Sequence, residues 1–299
     1  MKAKLAVGYC KLCRKAACLL LPLAARWHRF TRRAGSSRNR IGVYSAYFNS
    51  SPFLPAHLES LRRTADAGFD YYLMKNFTIP DEGRQFDDIV ARYPFVKAFG
   101  GIAGKLPCPL SHGDSLQRLV SLTDNEIIVM CDVDSLFLAQ GWDTFVLRQL
   151  QSKQVIGVAA HFALRGLPFV LHPSFIACKR QFIEDNGIDL RSGDGNDPAY
   201  KITKFLMQRG MLDERYVHLL VPTQVEYPNG WFTSHPFPYL AGKPSHGFCT
   251  RYGDFFFHFW HSRQYLEGTD IMGDDGLVLA PYSAVKERVA YYTGPYTQS

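Results

Sequence analysis

Hydrophobic and polar residues alternate along the chain in short blocks of two kinds. The blocks IGVYSAYF (41–48) and FDYYLMKN (69–76) are rich in β-branched and aromatic residues, a composition that predicts strands. Between them, HLESLRRTADAG (57–68) repeats its apolar positions at helical spacing, and we expect this helix to end at Gly68. A strand, a helix and a second strand within about 35 residues predict a parallel βαβ unit.

The same alternation continues further along the chain. Helical spacing recurs over residues 81–93 and 111–122, and a uniformly apolar run over 127–131 predicts a strand buried on both faces. These blocks together predict an α/β fold in which helices flank a mostly parallel central sheet.

Charge is distributed unevenly over the 299 residues. Of the 34 basic residues, 11 lie in residues 1–40, which contain no Asp or Glu, and the other 23 stand beside all 27 acidic residues. We therefore predict a basic N-terminal segment over 1–40 and one mildly acidic folded domain over 41–299. A nucleic-acid partner is not expected, because the attraction for phosphates would rest on the segment alone.

The basic segment also carries an apolar stretch over residues 16–25, which is shorter than the roughly 18–20 residues of a membrane-spanning helix. Basic residues flank this stretch, and Trp27 and Phe30 follow it. The pattern is consistent with a helix on an anionic membrane surface, with a targeting peptide or with a disordered extension. The seven cysteines show no disulfide-framework spacing, so we expect a cytoplasmic protein, peripheral to the cytoplasmic face of a membrane under the first interpretation.

Asp132-Val133-Asp134 is the motif from which chemistry can be predicted. About one Asp-x-Asp triplet is expected by chance in a chain of this composition, so the spacing alone means little. Its position after the buried strand is informative, because open parallel sheets bind ligands at the carboxyl ends of their strands. Two neighbouring carboxylates repel each other there unless a cation offsets their charge, and a divalent metal that also binds a diphosphate meets that requirement.

With this motif at the end of a central strand, in IIVMCDVDSLF, the chain resembles the GT-A glycosyltransferases, in particular family 2-like enzymes that use nucleotide-sugar donors. The resemblance implies a Rossmann-like GT-A fold, with Asp134 on a metal ion and Asp132 on the metal or the ribose. It also implies that residues of the first strand and of the helix before the motif lie beside the nucleotide or the donor sugar: Tyr44, Ser45, Ala46, His112, Asp114 and Arg118.

A second block, YGDFFFHFWHSR (252–263), is unusually aromatic and ends in histidine and arginine residues. GT-A enzymes often supply a late histidine to the metal and a basic residue to the leaving diphosphate. The resemblance therefore assigns His258 or His261 to the metal and Arg263 to the diphosphate. Imidazole beside carboxylates favours Mn²⁺ over Mg²⁺, and either ion is expected as the cofactor. The alternative is that the histidines are core residues among aromatic rings.

The loop SGDGNDPAY (192–200) precedes another predicted helix. In inverting GT-A enzymes a carboxylate at the start of such a helix deprotonates the acceptor hydroxyl, and Asp194 and Asp197 both resemble it. Asp197 is equally suited to cap the helix. The aromatic residues Trp231, Phe232 and Phe237 either present flat faces to sugar rings or form a buried cluster.

We therefore expect a hexosyltransferase of polysaccharide biosynthesis that moves a sugar from a nucleoside-diphosphate donor to a glycan or lipid-linked acceptor hydroxyl. One alternative is a HAD-like phosphohydrolase with Asp132 as nucleophile, Asp134 as general acid and Asp274 and Asp275 on Mg²⁺. That family places its motif near the start of its domain and has Thr where this chain has Leu136. A further alternative is a GT-A-like protein that binds nucleotide-sugar or glycan without catalysis.

Overall fold

The computed structural model describes residues 39–77, 80–100, 112–160, 170–191, 200–232, 237–260, 262–273 and 276–297. The strands are β1 (Ile41–Phe48), β2 (Phe69–Asn76), β3 (Val96–Gly100), β4 (Ile127–Cys131), β5 (Ser135–Phe137), β6 (Val155–Ala160), β7 (Val170–Lys179), β8 (Val217–Leu220), β9 (Gln224–Trp231), β10 (Pro244–Tyr252), β11 (Phe256–Phe259), β12 (Ile271–Met272) and β13 (Val278–Ala280). The helices are α1 (Leu54–Thr64), α2 (Pro80–Val90), α3 (His112–Leu122), α4 (Trp142–Gln149), α5 (Arg180–Asp185), α6 (Tyr200–Gln208), α7 (Ser262–Glu267) and α8 (Tyr282–Thr297), with a 3₁₀ turn at Pro238–Leu240.

The central sheet has seven strands in the order β3-β2-β1-β4-β7-β6-β8. Strands β3, β2, β1 and β4 are parallel neighbours, and β6 and β8 form a further parallel pair. Only β7 among these strands runs the other way, antiparallel to both β4 and β6. The prediction of an α/β fold with a mostly parallel central sheet is therefore confirmed.

Two hydrophobic clusters cover the two faces of this sheet, and β4 contributes to both. Ile128 and Met130 pack into one cluster, whereas Ile127, Val129 and Cys131 pack into the other. Side chains of a strand point alternately to opposite faces, so a strand that is buried on both faces has to be apolar at every position. This explains the uninterrupted apolar run before the two aspartates.

A second sheet has four antiparallel strands in the order β5-β11-β10-β9, and the sequence analysis did not foresee it. Strand β5 begins directly after Asp134 and pairs with β11, so that Ser135 lies opposite His258. The chain therefore passes from the central sheet into the second sheet at the Asp132–Asp134 motif. This seam between the sheets is where the candidate site lies.

Helix α1 ends at Thr64, earlier than the predicted end at Gly68. The reason is the buried carboxylate of Asp143, which accepts backbone N–H groups from Ala67 at 2.7 Å and from Gly68 at 2.8 Å. Backbone N–H groups that donate to a side chain outside the helix favour an irregular connection over a further helical turn.

Within the described ranges, no helix is long and apolar enough to cross a membrane. The predicted basic segment lies outside the described residues, apart from residues 39 and 40. Its membrane-surface role therefore stays a prediction.

Candidate metal centre and its cleft

Asp132, Asp134 and His258 meet at the carboxyl end of β4. Their ligand atoms all lie within 4.8 Å of one another. The Nε2 atom of His258 is 3.2 Å from Oδ1 of Asp134 and 3.6 Å from Oδ2 of Asp132. Of the two histidines that the sequence offered, His258 is thus beside the carboxylates, and His261 lies outside the described residues.

The turn that carries the two aspartates is held by hydrogen bonds from three directions. The backbone N–H of Asp132 donates to the carbonyl of Ser174 on β7 at 3.3 Å, and the hydroxyl of Ser135 donates to the carbonyl of Asp132 at 2.6 Å. The backbone N–H of Phe259 on β11 donates to the carbonyl of Asp134 at 3.0 Å. Both sheets therefore fix the direction in which the carboxylates leave the backbone.

The electrostatic surroundings of Asp134 favour its charged form. Burial opposes ionisation of Asp134, yet the charge of His258 and hydrogen bonds from His258 and Ser262 lower its pKa overall. On the other side, Nε2 of His112 at the start of α3 is 3.3 Å from Oδ1 of Asp132. Imidazole groups from two elements thus flank Asp132.

His258 lies in a buried group of rings, with a side chain only 3% exposed. Its ring centroid is 4.7 Å from that of Trp260 and 5.7 Å from that of His172. Burial, together with the neighbouring imidazoles of His258, His112 and His246, lowers the pKa of His172 well below its ordinary value. Its surroundings therefore favour the neutral form of the His172 imidazole.

The residues present fit a divalent cation. Two carboxylates and one imidazole form a mixed oxygen and nitrogen donor set, which suits Mn²⁺ and other transition metals better than an all-oxygen site does. Coordination through Nε2 of His258 requires the ring proton on Nδ1, and Nδ1 is buried without a hydrogen-bond partner among the described residues. Asp132, Asp134 and His258 are therefore the residues that would hold the ion.

Asp132 and Asp134 line a cleft of about 790 Å³, a volume within the ordinary range of small-molecule sites. Its walls come from the ends of β1 and β2, the starts of α2 and α3, the aspartate turn and α7. The lining residues are Ala46, Phe48, Asn49, Ser50, Asn76, Glu82, His112, Asp132, Val133, Asp134, Ser262, Arg263, Leu266 and Glu267.

The three first-strand residues that were expected near a nucleotide differ in their placement. Ala46 lines the cleft, but the side chain of Tyr44 turns toward the amino end of the sheet, where its hydroxyl lies 2.7 Å from Oγ1 of Thr123. Oγ of Ser45 lies 3.4 Å from Sγ of Cys131. Tyr44 and Ser45 are fully buried, so their side chains do not reach the cleft.

The α3 residues and Arg263 also differ in their access to the cleft. His112 lines it, whereas Asp114 is buried and Arg118 is half-buried behind the helix face, and neither of these two side chains lines the cleft. Burial lowers the pKa of Arg118. Arg263 lies at the rim with an 84% exposed side chain, and its Nε is 2.7 Å from Oε1 of Glu267.

The sequence analysis missed six polar residues of the cleft: Asn49, Ser50, Asn76, Glu82, Ser262 and Glu267. Asn76 donates to Oγ of Ser115 at 2.7 Å, while its own Oδ1 is buried without a partner among the described residues. Glu82 accepts hydrogen bonds from the hydroxyls of Tyr47 and Ser51. Asn76 is the last residue of the parallel strand β2. The tendency of parallel sheets to bind ligands at the carboxyl ends of their strands, which pointed to Asp132, could therefore have pointed to Asn76 as well.

Several candidate residues lie outside the described residues, and their roles stay predictions: Asp194, Asp197, His261, Asp274 and Asp275. The aromatic candidates nearby divide into two groups. Phe232 and Phe237 are buried in the core, as the buried-cluster alternative predicted, and Trp231 is 51% exposed.

No protein-family model matches the chain, and no curated protein sequence matches it. Solved structures with similar folds include the mannosyltransferase PcManGT from Pyrobaculum calidifontis in complex with GDP-Man and Mn²⁺, at 14% identity over 75% of this chain and 70% of that chain, with a TM-score of 0.45.

Two further similar structures are glucosyl-3-phosphoglycerate synthase from Mycobacterium tuberculosis and TarS from S. aureus. The synthase is 13% identical over 61% of this chain and 69% of its own, with a TM-score of 0.43. TarS is 14% identical over 60% of this chain and 35% of its own, with a TM-score of 0.42. At such scores the similarities carry no argument about activity, which has to come from the site itself.

Proposed function

We propose that the protein is a metal-dependent glycosyltransferase that uses a nucleoside-diphosphate-sugar donor. The observation that carries the proposal is the meeting of Asp132, Asp134 and His258, from two sheets, beside a cleft of about 790 Å³. Two carboxylates so close together are suited to a divalent cation. Such an ion, when bound, would stabilise the charge that develops on a departing diphosphate.

The ends of the cleft differ in a way that suits a nucleotide. Phe48, which is 46% exposed, offers an aromatic face at the end formed by β1 and β2, and Asn76 and Glu82 lie at the same end. We assign this end to the nucleoside. Arg263, at the α7 rim, supplies positive charge for the diphosphate.

The acceptor in this proposal is a hydroxyl of a glycan or of a lipid-linked sugar. Asp197 or Asp194 takes the proton of that hydroxyl if the reaction inverts configuration. Trp231, with its exposed ring, offers a flat apolar face to a hexose. The basic segment over 1–40 holds the enzyme at the cytoplasmic face of an anionic membrane.

A donor screen tests the proposal. Purified protein is mixed with UDP-, GDP-, CMP- and dTDP-sugars in Mn²⁺ or in EDTA, and nucleotide release is followed. We expect slow release from one donor that EDTA abolishes, and the Asp134→Asn variant serves as the inactive control. Thermal stabilisation by a nucleotide and Mn²⁺ without release would identify a binding protein or an enzyme that needs its acceptor.

A negative result of the screen has an equally clear meaning. If no nucleotide stabilises the protein with Mn²⁺ and no donor is hydrolysed, the proposal is wrong. Phosphate release from a simple phosphomonoester under the same conditions would favour the phosphohydrolase alternative.

A further inference from the structure

We propose that His57, a fully buried residue of α1, is a positioning residue of the metal centre that fixes the turn bearing Asp132 and Asp134. The inference rests on the proposed function, because it concerns the same centre. His57 touches neither the metal-ligand atoms nor the substrate in this proposal. It acts through the backbone on either side of the two aspartates.

The contacts of His57 define its tautomer. Its Nδ1 lies 2.8 Å from the carbonyl oxygen of Ser135, and a carbonyl can only accept a hydrogen bond, so Nδ1 carries the proton. Its Nε2 lies 3.9 Å from Sγ of Cys131, which can donate its thiol proton to that nitrogen. One neutral imidazole therefore satisfies a partner at each nitrogen.

These partners enclose the aspartate motif in the sequence. Cys131 immediately precedes Asp132, and Ser135 immediately follows Asp134. The hydroxyl of Ser135 also donates to the carbonyl of Asp132 at 2.6 Å, which closes the turn. The imidazole thus anchors the two residues that flank the motif to a helix on one face of the sheet.

Because His57 is buried, its protonation state does not change over the pH range of an assay. Desolvation lowers the pKa of His57 to about 4, so the ring is neutral over the whole range in which a glycosyltransferase would be assayed. The donor at Nδ1 is then present at all times. An apolar side chain at this position would leave the buried carbonyl of Ser135 without that partner and would free the turn to move.

Helix α1 provides a matched control one turn further on. Ser60 is fully buried as well, and its hydroxyl accepts the backbone N–H of Phe137 at 3.1 Å. It therefore also joins α1 to β5, but at the end of the strand that lies away from Asp134. Loss of this bond should loosen the same helix and strand without releasing the aspartate turn.

The test compares the variants His57→Leu, His57→Asn and Ser60→Ala of the 299-residue chain with the wild type. Affinity for Mn²⁺ alone is measured by electron paramagnetic resonance of the free ion, and thermal stability is measured in parallel. We expect His57→Leu to weaken Mn²⁺ binding by about tenfold or more, the effect typical of groups that orient metal ligands. His57→Asn, whose amide N–H replaces Nδ1–H, should restore most of that affinity, and Ser60→Ala should lower only the melting temperature.

Two results would overturn the inference: Mn²⁺ binding by His57→Leu at wild-type affinity, or an equal loss in Ser60→Ala. If the wild type itself binds no Mn²⁺, the proposed metal centre fails, which is a separate outcome. Should His57→Leu not fold, nitrogen NMR of the wild type decides, with the His57 resonances assigned by their loss in His57→Asn. A proton on Nδ1 is expected, and a proton on Nε2 would contradict the assignment.

Discussion

The two ends of the central sheet each carry a buried polar cluster, and the clusters are built on opposite plans. At the amino end of β1 and β4, the side chains of Tyr44, Thr123, Asn125 and Arg180 form what we term the closed cluster. At the carboxyl end lies the metal centre. The same strands position both clusters, so differences between them reflect their side chains.

In the closed cluster the donors and acceptors match. Arg180 donates to the carbonyls of Asn125 and Val120, each at 2.8 Å, and to the hydroxyls of Tyr44 and Thr123, each at 3.1 Å. The Asn125 amide in turn donates to Asp70 at 2.9 Å. A buried polar network that is satisfied in this way contributes rigidity and stability.

The metal centre lacks such a match. Within the part of the chain that the structure describes, Asp134 is paired with an imidazole and a hydroxyl, not with a lysine or an arginine. The comparison teaches that a site for a cation differs from a structural network in leaving the carboxylate of Asp134 without a lysine or arginine partner among the described residues.

The strongest way to sharpen this comparison is the Asp134→Asn substitution. We expect a loss of about 100-fold or more in metal-dependent nucleotide release, because a charged ligand of the ion is removed. The melting temperature should change little. Asp254→Asn is the matched control, since that carboxylate is 95% exposed in a turn of the second sheet. Full activity in Asp134→Asn would show that the metal centre is wrongly assigned.

For Arg180→Met in the closed cluster we expect a loss of stability and no loss of metal binding. The substitution removes four hydrogen bonds from a side chain that is largely buried, and we expect it to lower the free energy of unfolding by about 3 kcal/mol. Urea denaturation measures this loss, and Arg84→Met, at an exposed position of α2, is the control. Affinity for Mn²⁺ should be unchanged in the folded variant. A parallel loss of affinity would mean that the clusters are coupled through the sheet.

A smaller effect is expected from pH through His57. Its pKa is lowered from 6.5 to about 4 in the folded state. Between pH 4 and pH 6.5 the imidazole therefore binds a proton in the unfolded chain but not in the folded protein. Stability is therefore complete above pH 6.5 and is lost as the pH falls, by about 2 kcal/mol between pH 8 and pH 5 for this one group.

Other buried histidines add to the pH dependence of the wild type, so the test is a difference. The difference in the free energy of unfolding between the wild type and His57→Asn should be smaller at pH 5 than at pH 8 by about 2 kcal/mol. Urea denaturation at pH 5 and at pH 8 measures this difference. A gap that stays constant with pH would show that His57 is not buried as a neutral ring.

The smallest effect on the two clusters is expected from the basic segment, which belongs to neither of them. Deletion of residues 1–40 should remove most of the sedimentation with anionic vesicles at low salt, because each basic residue near the surface contributes about 1 kcal/mol. Neutral vesicles are the control. Donor hydrolysis in solution should be unaffected, and unchanged vesicle binding would exclude the membrane-surface role.

Much of the central sheet could be predicted from hydrophobic pattern. The bounds of β1 and β2 match the predicted strands, and the position of Asp132 and Asp134 followed from the apolar run of β4. These features depend on local periodicity. The second sheet was missed, because its antiparallel strands lie in aromatic and proline-rich stretches whose pairing is set by distant contacts.

The candidate site divides along the same line. His258 was one of two histidines that the GT-A resemblance assigned to the metal, and its aromatic block alone did not separate it from His261. His57 gave no signal, because it resembles any polar residue of an amphipathic helix and its partner is a backbone carbonyl, which every residue has. Tyr44 was misplaced because a strand position fixes the face of a side chain but not the direction in which a long side chain turns.

The seam between the two sheets also determines when the site can exist. Asp134 and His258 are 124 residues apart in the chain, and they meet only after β11 pairs with β5. During synthesis the two aspartates therefore leave the ribosome long before their histidine partner. A nascent or truncated chain that ends before β11 would display the aspartates without the imidazole, so the complete metal-ligand set is acquired late, when the second sheet closes.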